Sequence, residues 1–287
     1  MTFDVYDDSC GNDVVINDDV FRMNELLFQG SDSQIFIAHS LKDDEAPAVV
    51  IKCLACRKDS EVWRRTMREI ESGIMLRKCP YVVRLQGYSV LKGRGAGEDY
   101  YRIFLLFDRL QCLDDLKTAD VRTALGMCRD VSLALECMRK HGLVHSDVKP
   151  QNIYCDGEKW LLGDFGSVCL SGGIAQYGSE GYLSPEVFRG EPCDIRADIY
   201  SLGITLYKLV SGGRLPFCSL PCDTMSEDDV YLAIMKRMKG EVIPPLKGVS
   251  EKVNALLSKM CRFERSERYK KPLLVAKEAE KLLSEIN

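Results

Sequence analysis

Hydrophobic and polar residues change their spacing once along the chain, near residue 110. Before that point, short apolar runs separated by polar turns predict strands at 26–28, 35–38, 48–51, 81–85 and 103–107. Beyond it, apolar residues recur every three to four positions and predict helices over about 121–141, 197–210, 230–238, 253–260 and 270–283. A sheet-rich first third therefore precedes a helix-rich remainder.

One amphipathic helix interrupts the sheet-forming part. Trp63, Met67, Ile70 and Ile74 recur at helical spacing with charged residues between them. The glycine-rich segment 92–98 is expected to be a flexible, exposed loop.

Composition and charge exclude several classes of protein. The chain has 287 residues, of which 46% are hydrophobic, so it can bury a core and global disorder is excluded. Its net charge of −4 lacks the basicity of a protein that mainly grips nucleic acid. No apolar stretch approaches the roughly 20 residues that a membrane-spanning helix needs, and the acidic N-terminus has no secretory signal. We therefore expect a cytoplasmic protein with no nucleic-acid partner and no membrane segment.

The 13 cysteines do not predict a closed disulfide framework, because their number is odd and the chain is large. Cys53 and Cys56 form one C-x-x-C pair, but no second pair follows at zinc-site spacing. Most of the cysteines are expected to be small buried hydrophobes in a reducing compartment.

Candidate chemistry concentrates in two short segments. Residues 145–152 read H-S-D-V-K-P-Q-N, and residues 164–166 read D-F-G. Phosphoryl transfer needs a carboxylate facing the substrate hydroxyl, an Asn and a second carboxylate that hold Mg²⁺, and a cation that offsets developing charge. Together, the two segments supply the two carboxylates, the Asn and the Lys that this chemistry needs.

These segments resemble the catalytic loop and the D-F-G element of the eukaryotic-type serine/threonine protein kinase family. Residues 49–52, V-V-I-K, resemble its V-A-I-K strand, and residues 184–186, S-P-E, stand in for A-P-E. Four motifs in family order make the match specific, and it runs from about Leu26 to Arg268.

The resemblance implies an α+β, bilobal protein-kinase-like fold. An antiparallel β-sheet N-lobe with one helix would be followed by a mainly helical C-lobe, with an ATP cleft between them. We expect an acidic N-terminal leader over 1–20, the N-lobe and hinge over 21–110, and the C-lobe over 111–287, which together make one catalytic domain.

The family's catalytic roles transfer to five positions. By resemblance, Lys52 would pair with the ATP phosphates, and Asp147 would accept the proton of the substrate hydroxyl or orient that hydroxyl. Lys149 would lie near the γ-phosphate, whereas Asn152 and Asp164 would hold Mg²⁺. Taken singly, each of these could be an ordinary surface lysine or turn residue, but the ordered set favours catalysis.

Lys52 should also pair with a glutamate on the following helix. Glu69 stands in the segment that resembles the family's motif, but Glu71 has the apolar neighbours Ile74 and Met75 three and four residues further on. We narrowly favour Glu71, and Glu69 is the alternative.

The resemblance also marks a nucleotide site and several supporting residues. Phe107 resembles the gatekeeper of the adenine pocket, and residues 178–182, which include Ser179, resemble the substrate-docking stretch. Asp198 would anchor the catalytic loop, and Glu186 would pair with Arg268. The remaining positions expected to bind the cofactor ATP are Gly30, Ile37, Val50, Asp108, Leu110, Asp114 and Tyr154.

Two departures from the family qualify the expected activity. Residues 30–35, G-S-D-S-Q-I, keep only the first glycine of the loop that covers the phosphates, which predicts weaker ATP binding. Ser146 replaces the Arg that usually meets a phosphate on the activation segment, here residues 164–186, so the chain is expected to be active as made or to be controlled by a protein partner.

The leading hypothesis is thus an ATP- and Mg²⁺-dependent kinase that phosphorylates Ser or Thr of a protein. Lys149, two residues after Asp147, is typical of serine/threonine kinases. The alternatives are a pseudokinase that binds nucleotide as a scaffold and, less favoured, a kinase that acts on a small molecule.

Overall fold

The computed structural model describes residues 12–43, 45–95 and 98–286. The chain divides into two compact units. The first comprises residues up to Arg77 together with Val83–Leu110, and the second comprises Lys78–Val82 and the chain from Gln111 onward.

The first unit is an antiparallel sheet with one helix. Its six strands lie in the order β1-β2-β3-β4-β6-β5, and helix α1 (Glu61–Leu76) follows β4. The strands are β1 (Asp13–Ile16), β2 (Asp19–Gln29), β3 (Ser33–Ser40), β4 (Val49–Cys56), β5 (Leu85–Gly95) and β6 (Glu98–Asp108).

Alternation along β4 supplies two separate cores. Ile51 and Cys53 point to one face, where they join the buried cluster that includes Phe36. Leu54 and Cys56 belong to a second cluster, which α1 covers. Because the two cysteines of the C-x-x-C pair lie in different clusters, they do not form a shared metal or redox site.

The first unit differs from the sequence-based expectation in three places. Residues 13–16 of the expected leader form β1, which pairs with β2 through a turn at Asn17 and Asp18, which both have positive φ, so the sheet begins before residue 21. Within the segment 92–98, which was expected to be a flexible, exposed loop, residues 92–95 belong to β5 and Glu98 to β6, and the two strands pair as far as Gly95 and Glu98. Of residues 81–85, which were expected to form one strand, only Leu85 belongs to a strand of this unit, β5, whereas Val82 makes an isolated bridge with Leu162 in the second unit. Residues 1–11 lie outside the part of the chain that is described.

The second unit is mainly helical, as the hydrophobic spacing predicts. Its longer helices begin and end within three residues of the expected bounds: α2 (Val121–Lys140), α4 (Ile195–Val210), α5 (Glu227–Met238), α6 (Glu251–Met260) and α7 (Pro272–Glu285). A short α3 (Pro185–Phe188) precedes α4. The short strands are β7 (Gln111–Cys112), β8 (Leu143–Val144), β9 (Ile153–Cys155), β10 (Trp160–Leu162) and β11 (Cys169–Leu170).

A disulfide joins Cys79 to Cys137 within the second unit. It fastens the segment Lys78–Val82 to α2, and the backbone N–H of Leu162 also holds that segment by donating to the carbonyl of Tyr81 at 3.0 Å. Along the described ranges, none of the helices combines the length and apolar character needed to cross a bilayer.

Candidate active site

Lys52 and Glu69 form an ion pair in the first unit. The Nζ of Lys52 lies 3.1 and 2.8 Å from the two carboxylate oxygens of Glu69. The two side chains are only 17% and 7% exposed, so solvent and salt screen this pair less than a surface pair. The prediction that Glu71 is the partner is wrong, because Glu71 is an exposed residue on the outer side of α1.

A small residue explains why Glu69 faces the sheet. The prediction assumed that Ile74 and Met75 pack beneath the strands, but they are 46% and 49% exposed. Gly73, four residues after Glu69, is buried instead, and a Cβ added to it would lie 3.1 Å from the Cβ of Leu85. The helix therefore approaches the sheet closely where it has no side chain, which an argument from apolar residues alone misses.

Gly30 lies in the tight turn between β2 and β3. Its backbone N–H donates to the carbonyl of Ser33 at 2.8 Å. Asp32 is exposed at the tip and accepts a hydrogen bond from the Ser31 hydroxyl at 3.0 Å. Ile35 pairs with Phe28 on β2. The turn thus presents a carboxylate where the family uses bare glycine backbone.

The other expected nucleotide positions of the first unit lie along one part of the sheet. Ile37 on β3 is opposite Val50 on β4, and Val50 is opposite Phe107 on β6. Asp108 is the last residue of β6 and accepts a hydrogen bond from Gln86. Leu110 follows β6 as the last residue of the unit. Their roles in binding ATP stay predictions.

Asp198 anchors the catalytic loop in the second unit, as expected. Its two carboxylate oxygens accept hydrogen bonds from the backbone N–H groups of His145 and Ser146, at 2.7 and 2.9 Å. These bonds hold Ser146 at a φ of 70°, which an L-residue rarely adopts. Burial raises the pKa of Asp198 to about 6, and the two donors and His145 act in the opposite direction.

Asp147, Lys149 and Asn152 form one polar cluster. Lys149 Nζ lies 2.9 Å from Asp147 Oδ2 and donates to the Ser179 hydroxyl at 2.7 Å. Asn152 Nδ2 donates to the backbone carbonyl and to Oδ2 of Asp147, at 2.8 and 3.1 Å. The second carboxylate oxygen, Oδ1, is buried and has no hydrogen-bond partner within the described residues. One oxygen of Asp147 is therefore held in place while the other is left for a further donor.

Asp164 is held close to Asn152 through the backbone. The N–H of Gly163 donates to the carbonyl of Asn152 at 2.9 Å, and the carbonyl of Gly163 lies 3.0 Å from Nε2 of His145. Asp164 itself has a φ of 56° and precedes a short turn that buries Phe165. Asn152 directs its amide nitrogen to Asp147, so its amide oxygen is left out of that contact. An amide oxygen and a carboxylate are ligands that suit Mg²⁺, so the donor set fits this ion.

The remaining positions expected to bind the nucleotide lie in or next to the three-stranded sheet β10-β9-β7 of the second unit. Tyr154 on β9 pairs with Cys112 on β7, and Asp114 follows β7 in a single helical turn. The carboxylate oxygen Oδ2 of Asp114 lies 3.9 Å from Nζ of Lys117. Like the positions of the first unit, both stay predictions.

Glu186 and Arg268 form a buried ion pair. Arg268 donates from its two terminal nitrogens to the two carboxylate oxygens at 2.6 and 2.8 Å, and the side chains are 0% and 5% exposed. Arg268 also donates to three backbone carbonyls, those of Arg196, Arg262 and Phe263. The expected pairing is confirmed, and the alternative of an ordinary surface pair is excluded.

Arg237 is a supporting residue that the sequence did not reveal. It is 2% exposed on α5, and its Nη2 donates to the carbonyl of Gly181 at 2.7 Å, inside the expected substrate-docking stretch. In the sequence it follows the charged Lys236, and nothing in the spacing distinguishes a buried arginine from a solvated one. Only the packing of α5 identifies it.

Comparison with known families agrees with this arrangement. The family described as protein kinase domain matches residues 21–281, which is most of the chain. The chain belongs to the protein kinase family. The resemblance inferred from the four motifs is thereby confirmed, and so is the expected kinase fold, with a sheet-rich N-lobe and a mainly helical C-lobe.

Several curated kinases are similar to this family member. It is 27% identical over 281 residues to a probable serine/threonine-protein kinase of Clostridium perfringens, and the matched region covers 93% of this chain and 39% of that protein. It is 27% identical to the serine/threonine-protein kinase PknB of Mycobacterium tuberculosis, which covers 88% and 41% of the two proteins. It is 30% identical to the serine/threonine-protein kinase PrkC of Bacillus subtilis, which covers 69% and 31%. The chain spans less than half the length of these relatives.

Proposed function

We propose that this protein kinase transfers the γ-phosphate of ATP to a serine or threonine hydroxyl of a protein. The observation that carries the proposal is the state of Asp147. One of its oxygens is fixed by Lys149 and Asn152, and the other is buried without a partner in the described residues. A buried acceptor of this kind suits a hydroxyl donor that arrives with the substrate.

Each residue of the cluster has a distinct task in this proposal. Asp147 Oδ1 accepts the hydrogen bond of the substrate hydroxyl, orients its oxygen and receives its proton. Lys149 places a positive charge beside the transferred group, and its bond to the Ser179 hydroxyl keeps the ammonium in position. In the first unit, Lys52 binds the phosphates and Glu69 holds its ammonium in place.

Asn152 and Asp164 would hold Mg²⁺, which when bound neutralises charge on the phosphates. The hydrogen bond from Gly163 to Asn152 keeps the backbone of the two residues together. Asn152 also contributes to catalysis through its own amide, because its two bonds to Asp147 fix the direction of the carboxylate.

A second candidate function is a nucleotide-binding scaffold with little turnover. The observation that favours it is the turn at Gly30, where Asp32 is exposed at the tip and would repel the anionic phosphates. The complete set of catalytic groups favours the enzyme, since a scaffold needs none of them.

The substrate class and setting are also proposals. Relatives named serine/threonine kinases support a Ser or Thr acceptor over Tyr. We also propose that the substrates are proteins, that a regulatory protein partner binds the chain, and that the protein is cytoplasmic with no nucleic-acid partner. The 13 cysteines suit the proposed cytoplasmic location, and the net charge of −4 suits the proposed lack of a nucleic-acid partner.

The deciding experiment is incubation with radiolabelled ATP, Mg²⁺ and a generic protein substrate. We expect label transfer by the wild type and none by Asp147→Ala or Asp147→Asn. Asp228→Ala, which removes an exposed carboxylate from the first turn of α5, is the matched control and should keep full activity. Nucleotide binding without transfer in the wild type would establish the scaffold instead.

A further inference from the structure

Two cysteines and a histidine come together at the end of α2, away from the polar cluster around Asp147. One side-chain ligand atom from each of Cys79, Cys137 and His141 lies within 4.8 Å of the other two. Over the described ranges this is the one group of three or more Cys, His, Asp or Glu residues close enough to share a metal ion. The proposed kinase reaction uses none of them.

The positions of the three residues suit a metal site. Cys137 and His141 are four residues apart at the end of α2, so they project from the same side of the helix. Cys79 reaches them from the segment Lys78–Val82. Cys79 is buried, Cys137 is half-buried and His141 is exposed, so an ion could enter from the surface. His141 is also the residue at which α2 ends, where the helix dipole favours a positive charge.

The ring of His141 is oriented by a backbone contact. Its Nδ1 lies 2.9 Å from the carbonyl of Cys137. A carbonyl can only accept, so Nδ1 carries the proton, and the neutral ring then has its free lone pair on Nε2. Histidines that bind metals are commonly oriented in this way, by donating the other ring N–H to a backbone carbonyl or a carboxylate.

The other cysteines indicate the redox state in which Cys79 and Cys137 are expected to be present. Ten cysteines in the described residues belong to no disulfide. The sulfurs of Cys169 and Cys193, for example, lie 3.8 Å apart and share a hydrogen bond, not a disulfide. A chain rich in free thiols is typical of a reducing environment, in which a partly exposed disulfide is open to reduction. The Cys79–Cys137 pair would then be present as two thiols.

We propose that the reduced Cys79 and Cys137, together with His141, bind a thiophilic divalent cation such as Zn²⁺. Two molecules of a low-molecular-weight thiol together supply two electrons and two protons to the S–S bond and are themselves joined as a disulfide. The ion then displaces the two thiol protons and binds two thiolates and one imidazole, and water takes the fourth tetrahedral position. Metal and disulfide are alternative ways of fastening Lys78–Val82 to α2.

The test is a Co²⁺ titration of the chain, after reduction with a phosphine and removal of oxygen. Thiolate-bound Co²⁺ gives a sulfur-to-metal charge-transfer band in the near ultraviolet, and added Zn²⁺ should abolish that band by competition. We expect one equivalent to bind to the wild type. Cys79→Ser and Cys137→Ser should lose the band, whereas Cys155→Ser, a free half-buried cysteine of the same unit, should keep it.

His141→Gln separates the metal site from the disulfide and does not depend on the folding of the serine variants, because residue 141 is exposed. This variant should bind Co²⁺ at least ~10-fold more weakly and still form the Cys79–Cys137 disulfide when oxidised. Equal affinity in His141→Gln would overturn the proposal. A band that survives in Cys79→Ser, or a disulfide that persists in excess thiol, would also overturn it.

Discussion

Lys52 donates hydrogen bonds to both carboxylate oxygens of Glu69, at 3.1 and 2.8 Å. The pair links the centre of β4 to the middle of α1, and it constrains the direction of the Lys52 side chain. In the proposed reaction this direction determines where the ammonium meets the phosphates. Glu69 therefore acts as a positioning residue.

Replacing Glu69 by Gln should reduce phosphate transfer strongly, with little effect on folding. The neutral amide holds the ammonium less firmly, and a misplacement of about 1 Å can cost ~10²-fold in rate. Glu71→Gln is the matched control, since it makes the same change two residues away at an exposed position. Steady-state kinetics should show the loss in Glu69→Gln alone. Equal losses in both variants would mean that helix charge, and not the ion pair, matters.

Asp198 should make stability depend on pH in an unusual direction. Burial raises its pKa from 3.8 to about 6, so between these values the folded chain keeps a proton that the unfolded chain has released. The contribution of this group to stability is therefore complete below pH 3.8 and is lost as pH rises through about 6. A pKa difference of this size corresponds to ~3 kcal/mol.

Asp198→Asn tests that dependence. The variant lacks the titrating group, so its stability should improve relative to the wild type by up to ~3 kcal/mol between pH 4 and pH 7, as followed by denaturant unfolding. Its activity at pH 7 should nevertheless fall, because the amide offers one acceptor oxygen to the two N–H groups of His145 and Ser146. A constant stability difference across this range would contradict the assignment.

The buried pair of Glu186 and Arg268 should be important for stability. Glu186→Gln leaves a buried guanidinium without its counter-charge, which costs about 3–5 kcal/mol. The pair of Arg189 and Glu191 provides the comparison, because its side chains are 43% and 50% exposed. Glu191→Gln should change the free energy of unfolding by less than about 1 kcal/mol. Urea unfolding of the two variants measures both values.

Asp32 should weaken nucleotide binding through its charge. Asp32→Asn keeps the shape of the turn and removes one negative charge, which near the phosphates is worth about 1 kcal/mol, or roughly fivefold in affinity. Asp43→Asn makes the same change at the opposite end of β3, and we expect it to leave affinity unchanged. Titration with ATP at low and moderate salt measures both, and the gain should shrink as salt rises. Asp32→Gly combined with Ile35→Gly should tighten binding further.

Activity should not require phosphorylation of the activation segment. Ser146 cannot pair with a phosphate as an arginine does, and its hydroxyl instead lies 3.3 Å from the sulfur of Cys169 at the start of that segment. Protein treated with a phosphatase, which is then removed, should phosphorylate a generic substrate at the rate of untreated protein. Loss of activity after treatment would show that a phosphate orders the segment in another way.

The sequence predicted best what depends on nearby residues. The longer helices follow from hydrophobic spacing, because each buries one face along its whole length. The groups around Asp147 could be identified because residues 145–152 are contiguous and resemble the catalytic loop of the kinase family. The end of the hairpin of β5 and β6 was missed because its glycines suggested a loop.

Features that depend on packing between distant segments could not be predicted. The choice of Glu69 over Glu71 depends on the close approach of α1 to Leu85, and apolar spacing gave the opposite answer. Arg237 is buried only because α5 packs against the stretch around Gly181. The pairing of Cys79 with Cys137 joins residues 58 positions apart, and thirteen cysteines allow too many pairings to select one.

The contact between Gly73 and Leu85 also constrains how such a chain can evolve. A methyl group at position 73 would meet the leucine at 3.1 Å, so the helix could accept it only if Leu85 moved away or the strand lost volume at the same place. The side-chain volumes at positions 73 and 85 therefore constrain each other. Homologues with a larger residue at 73 should carry a smaller one at 85, and an intermediate that changes only position 73 should displace Leu85 or the helix that carries Glu69.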